Sequence, residues 1–188
     1  MATFHALARL NLKCIKATKA KQIITTCPEC ARTLGMDYPQ RFGAHGMELL
    51  HLTQFLSRQP AASKIEWSSE IKNGSATYQD ACRLGRHLGV YEEPRALLRA
   101  CGLDLVEMER THHNSLCCGT SCWTACGQVS KNIQVERVKE AKATGAEMLI
   151  TSCIKCLIHF KCAQQDPTLE NDIASPVRDL ATVLADRL

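Results

Sequence analysis

Phe4, Leu7, Ala8 and Ile15 recur at helical spacing and predict an amphipathic helix over residues 3–20. "QIITTC" then reads as a short buried strand running into Cys27, and "CPECARTL" turns into a further helix with Pro28 suited to its first turn. "AHGMELLHLTQFLSR" is apolar on most sides and predicts a well-buried helix. From Gln59 to Ser75 small and polar residues break the pattern, making 61–75 a linker between segments 1–60 and 76–188. Beyond it, "ATYQDAC", "LDLVEME", "NSLCCG" and "EMLITSC" read as strands. "EEPRALLRACG" is a helix with Pro94 in its first turn and Gly102 as its cap. A long helix is expected from about Thr124 to Thr144, stopped by Gly145, and "KCLIHFKCA" turns into another. Val177, Leu180, Ala181, Leu184 and Leu188 complete one apolar helical face at the end.

This alternation predicts an α/β fold with mostly parallel sheets flanked by helices. Cys82, Cys117 and Cys153 would each fall at the end of a strand, where loops of an open α/β sheet converge and ligands collect. The pattern also repeats. "KATKAKQIITTCPEC" from Lys16 and "KATGAEMLITSCIKC" from Lys142 agree at eight of fifteen positions, 126 residues apart. Each copy continues through a helix and a polar break to another apparent helix, "GMELLHLTQFLSR" in the first and "SPVRDLATVLADR" in the second.

Composition narrows the chemistry. With 45 % hydrophobic and 22 % charged residues in 188, the chain has the balance of a globular protein. Its net charge of +4 is scattered and its nine aromatics are few, which excludes a basic, base-stacking nucleic-acid surface. No apolar run approaches the ~20 residues that span a bilayer, so direct membrane insertion is not expected. Charged residues punctuate the first 25 positions, so no signal peptide is visible and a reducing cytoplasm is the expected compartment. There, twelve cysteines point to metal or redox chemistry rather than to disulfides.

Five of them are spaced as Cys82, 34 residues, Cys117–Cys118, 34 residues, Cys153, two residues, Cys156. Thiolates favour iron–sulfur, zinc or cuprous sites. Neighbouring side chains of an extended segment point to opposite faces, so Cys117 and Cys118 poorly grip one tetrahedral ion and suit a larger inorganic core. Five sulfurs also exceed the four of a structural zinc or an ordinary cluster. Gly119 would let backbone N–H groups approach that core closely.

"DACRLGR", "PRALL", "LVEME", "SLCCG" and the closing CxxC, in that order from Ala76, resemble the cysteine-rich CCG domain. That family includes the B-type and D-type polypeptides of heterodisulfide reductase. It also includes related iron–sulfur proteins of sulfite-reduction, glycerol-3-phosphate, glycolate and lactate oxidising systems. "CCGTSCWTACG" and "KCLIHFKCA" resemble the D-type heterodisulfide reductase and sulfite-reduction branch. The resemblance implies a noncubane [4Fe-4S] cluster on Cys82, Cys117, Cys118, Cys153 and Cys156. It also implies disulfide cleavage or electron relay, with other iron–sulfur or membrane electron-transfer subunits as partners. Family members carry two such units, so residues 1–60 resemble the C-terminal half of a first one, with Cys27 and Cys30 an incomplete second site. Either the chain is a fragment, or another polypeptide supplies the missing half. Cys122, where many relatives have glycine, and a spacer one residue short depart from the family pattern.

A zinc-binding structural or assembly module and a metal-free thiol–disulfide protein using Cys117–Cys118 stand as alternatives. Cys14, Cys101 and Cys162 read as small buried hydrophobes. Cys122 and Cys126 divide between packing and support of the site, and Trp123 would cover it. His112–His113 read as a solvated loop. His159 reads as helix surface or as a proton donor to a leaving thiolate. Asp80 and Arg83 flank Cys82 as turn residues or as electrostatic tuners of the cluster.

Overall fold

The computed structural model describes residues 2–59, 67, 74–120, 127–166 and 175–188, and it is an α/β fold built on two parallel sheets. Helix α1 (Ala2–Ala17) leads into strand β1 (Gln22–Thr25), then α2 (Pro28–Arg32), a π-turn (Thr33–Asp37) and α3 (Tyr38–Phe42). Strand β2 (Glu48–His51) pairs parallel with β1 and runs directly into α4 (Leu52–Arg58). Strand β3 (Ser75–Gln79), α5 (Gly85–Leu88), α6 (Glu92–Ala100) and β4 (Asp104–Leu105) follow. After a 3-10 turn at His112–Asn114 come α7 (Gln128–Ala143), β5 (Met148–Thr151), α8 (Ile154–Gln164), β6 (Val177–Asp179) and α9 (Leu180–Ala185). The larger sheet has the order β4-β3-β5-β6, all parallel.

Side-chain alternation divides two cores between the faces of that sheet. Tyr78 of β3 and Ile150 of β5 join Leu97, Leu98, Leu180 and Leu184 on one face. Leu149 points the other way, to Val138 of α7 and Phe160 of α8, and Cys118, Cys153 and Cys156 belong to that second core. The smaller unit is held partly by aromatics, with Phe4 packed edge-on to Tyr38 and tilted against Phe42.

Several elements differ from their expected form. Residues 44–58 are strand β2 followed by α4, and the last segment is strand β6 followed by α9. Both apolar runs begin by adding a parallel strand, whose pairing satisfies backbone groups that a longer helix would have served internally. "LDLVEME" contributes only the two residues of β4, and "NSLCCG" forms no strand. The start of the helix expected from Thr124, residues 61–66 and 68–73 of the linker, and Cys122, Trp123 and Cys126 lie outside the described residues, while Ser75, read as linker, opens β3.

The two repeats face one another. A small internal cavity between them is lined by Thr26, His51, Leu52 and Thr53 of the first and Ser152, Asp179, Leu180 and Ala181 of the second, four pairs of corresponding positions. His51 is 2 % exposed, and its Nδ1 accepts from the Thr53 backbone N–H at 3.3 Å, which closes a cap on α4. Burial lowers its pKa from 6.5 to about 4, opposed by the Thr26 and Ser152 backbones. The unfolded chain therefore binds the proton first as pH falls from 6.5 toward 4, and stability that is complete above this window is lost within it. The full shift corresponds to up to ~3 kcal/mol. Thermal melts from pH 7 to 4.5 should fall more steeply in the wild type than in His51→Gln; parallel curves would contradict the assignment.

Candidate metal centre

Cys82 lies three residues beyond β3, in a turn closed by Leu84 N–H and Gly85 N–H donating to Ala81 O at 2.9 and 2.8 Å. Cys117 and Cys118 sit on the loop after the 3-10 turn, not at the end of a strand as expected. Cys153 is the N-cap residue of α8, and Cys156 follows in the first turn. The free backbone N–H groups there point toward the Cys153 sulfur, as the start of a helix does for any anion.

The five thiols share one neighbourhood. Cys118, Cys153 and Cys156 are buried in one core cluster, and Cys117 packs against it. Interaction with Cys117 and then Cys156 pushes the Cys118 thiol well below its ordinary range, while Cys118 together with burial raises Cys117, and Cys118 with Cys153 raises Cys156. Cys82 joins through space, its thiol raised by burial and by the Cys118 charge, with Arg86 and Arg83 opposing. The Thr120 hydroxyl lies 3.4 Å from Cys118 Sγ. Cys27 and Cys30 form a separate pair, in which burial and the bond to Cys27 raise Cys30 to about 11.

A buried polar frame that sequence reasoning missed holds the loop carrying Cys117 and Cys118. Gln79 Nε2 donates to Leu116 O at 3.0 Å, and Arg137 Nε donates to Gln79 Oε1. Arg137 Nη2 also reaches Ser115 Oγ at 2.9 Å, while Arg86 Nη1 donates to Ser115 O at 2.7 Å. Asp80, read as a turn residue, is buried in a two-pronged pair with Arg95 at 2.7 and 2.9 Å and accepts from His112 N–H at 2.8 Å. Arg95 continues to Glu107 and lies over the Tyr78 ring, whose hydroxyl donates to Ser152 Oγ at 3.0 Å. The only signal in the sequence was a polar or charged residue at an inward position of a strand or helix.

Gly119 has φ +82°, and a Cβ there would meet the Ser130 carbonyl oxygen at 2.6 Å. Gly119→Ala should cost ~1–2 kcal/mol in backbone strain alone, with the clash added. Urea unfolding with an unchanged midpoint would contradict this placement.

The remaining candidates scatter. His112 pairs with Glu92 at 2.9 Å on the surface. His159 is half-buried; burial lowers its pKa, the Cys118 charge raises it, and Gln134 bonds its Nδ1 at 2.8 Å. Of the three cysteines expected to be buried, only Cys101 is; Cys14 and Cys162 are exposed on the outer faces of α1 and α8.

The model of the CCG cysteine-rich domain matches residues 1–35 and 76–161. The chain belongs to the CCG-domain family. Its matched segments carry both CxxC turns and the whole run from Cys82 to Cys156. A D-type polypeptide of the dihydromethanophenazine:CoB–CoM heterodisulfide reductase from Methanosarcina barkeri is 33 % identical over 97 % of this chain and 44 % of its own length. An EtfAB:quinone oxidoreductase of Syntrophomonas wolfei is 32 % identical over 96 % of this chain and 26 % of its own length. A B-type polypeptide of the fumarate reductase (CoM/CoB) from Methanothermobacter marburgensis is 33 % identical over 74 % of this chain and 27 % of its own length. The chain thus spans less than half the length of these curated relatives. A further relative is named as a probable membrane-anchored ferredoxin, whereas no described helix of this CCG chain is long and apolar enough to cross a membrane.

Proposed function

We propose that this chain is an iron–sulfur module of a heterodisulfide reductase-like redox complex, with Cys82, Cys117, Cys118, Cys153 and Cys156 as ligands of a noncubane [4Fe-4S] cluster. The observation that supports the reading is the burial of Cys118, Cys153 and Cys156 in one core cluster, with Cys117 packed against it and Cys82 near enough to feel the Cys118 charge. The donor set fits, being all sulfur, largely buried and backed by helix N–H groups. Among the described residues, no three His, Cys, Asp or Glu side chains are disposed to hold a single metal ion. Five sulfurs also exceed the four that a zinc ion takes, which favours a larger core.

When bound, such a cluster supplies one-electron chemistry and an iron site for a substrate sulfur. The chain's part is to surrender the protons of Cys117 and Cys156, shield the sulfurs from water, and hold the loop still through Gln79 and Arg137. His159, close enough to feel the Cys118 charge, is the candidate proton donor to a leaving thiolate.

The same proposal covers the partners. In the larger sheet β5 is flanked by β3 and β6; its repeat, β1, pairs only with β2 among the described residues, and Ile24 on it is 43 % exposed. A strand from the rest of a longer polypeptide, or from another protein of the complex, fits that edge. Amide exchange at residues 22–25 should slow when the partner co-purifies.

The deciding experiment on function is iron and acid-labile sulfide quantitation with EPR on anaerobically prepared protein. Brown protein with near-equal iron and sulfide is expected. A colourless, zinc-loaded or metal-free preparation overturns the reading.

A further inference from the structure

Glu29 is the third residue of the first CxxC turn, and it is remote in sequence from all five cysteines of the candidate centre. Its carboxylate nevertheless reaches both ends of that centre. Oε1 lies 3.2 Å from Lys155 Nζ, inside the second CxxC turn, and Oε2 lies 3.4 Å from Arg83 Nε, next to Cys82. Lys155 is largely buried and cannot readily turn to water instead. Glu29 and Lys155 occupy corresponding positions of the two repeats, so this pair sits where the repeats face each other. Arg32, itself paired with Asp37, and Arg86 lie near the same groups: burial lowers the pKa of His87, Arg83, Arg32 and Arg86 lower it further, and Glu29 opposes them.

We infer that Glu29 is a positioning residue of the centre, a carboxylate from the first unit that clamps the Cys82 and Cys153–Cys156 segments together and offsets the cations beside them. This rests on the cluster proposed above. Removing the carboxylate takes a negative charge away from Lys155 and Arg83, and the more positive field that results favours the reduced, more negative state of any bound cluster. Glu29→Gln should therefore raise the midpoint potential in EPR-monitored titrations, and Glu29→Asp should restore part of the wild-type value. Lys155→Gln should lower it, and Glu29→Gln combined with Lys155→Gln should return it toward wild type. Glu29→Gln strands the charge of the largely buried Lys155 and should lower Tm, and adding Lys155→Gln should recover part of that loss; midpoints that shift in opposite directions in the two single variants separate tuning from general destabilisation.

A wild-type chain without iron overturns the function proposed above. A wild-type cluster whose midpoint ignores both Glu29→Gln and Lys155→Gln overturns this inference alone. Should Glu29→Gln fail to assemble a cluster, Lys155→Gln still decides, since an unmoved midpoint in that variant excludes the clamp.

Discussion

Cys118→Ser is expected to lose most of its iron and sulfide, while Cys82→Ser keeps a substantial share with an altered EPR signal. The difference follows from position. Cys118 is buried in the same core cluster as Cys153 and Cys156, with Cys117 packed against that cluster, so it is the sulfur around which the others gather. Serine preserves size but offers a hard, high-pKa oxygen where a soft thiolate is required. Removing it leaves thiols on either side of a hole. Cys82 stands at the rim, sensed by the others through charge rather than through a hydrogen bond, and four thiolates remain without it. Four is the usual complement of a cluster. Metal analysis and EPR on both variants, prepared anaerobically beside the wild type, check this directly. If Cys118→Ser retained its iron in full, the five cysteines would not form one centre.

The largest loss of stability is expected from Arg95→Met. Arg95 is 1 % exposed, and its guanidinium satisfies both oxygens of Asp80, itself 2 % exposed, before reaching Glu107. Methionine fills much of the space but leaves the Asp80 charge buried, with the His112 N–H as its remaining hydrogen-bond donor among the described residues. Breaking such a pair from one side costs about 3–5 kcal/mol, which in a chain of this size lowers Tm by on the order of 10 °C. Adding Asp80→Asn should recover part of that loss, because the stranded charge disappears. Differential scanning calorimetry of the single and double variants provides the test, and a double variant worse than the sum would contradict the pairing. The prediction matters for the centre because Asp80 also fixes the loop that leads to Cys117.

Much of this was legible in the chain itself. Alternating helices and strands announced the α/β class, Gly145 stopped α7 as expected, and Gly102 ended α6 with φ +83°. What escaped has two physical causes. β2 and β6 are three or four residues long and run without a break into helices, so their apolar residues merge with the helical face that follows. The loop bearing Cys117 and Cys118 reads as a strand because Leu116 and its neighbours have strand composition. Its order instead comes from Gln79, Arg137 and Arg86, side chains 22 to 58 residues from their partners, and no local pattern records such bonds. The cysteines themselves were conspicuous; the frame around them was not.

The Glu29–Lys155 pair has one more consequence, for self-recognition. Duplicated halves that match closely can also match the same half of a second molecule, the usual route to swapped or chained assemblies. Here two copies of the first half would bring glutamate against glutamate, and two copies of the second would bring lysine against lysine. Only the unlike halves are electrically compatible, so a single substitution within an inherited phrase discourages each chain from mistaking its neighbour for itself.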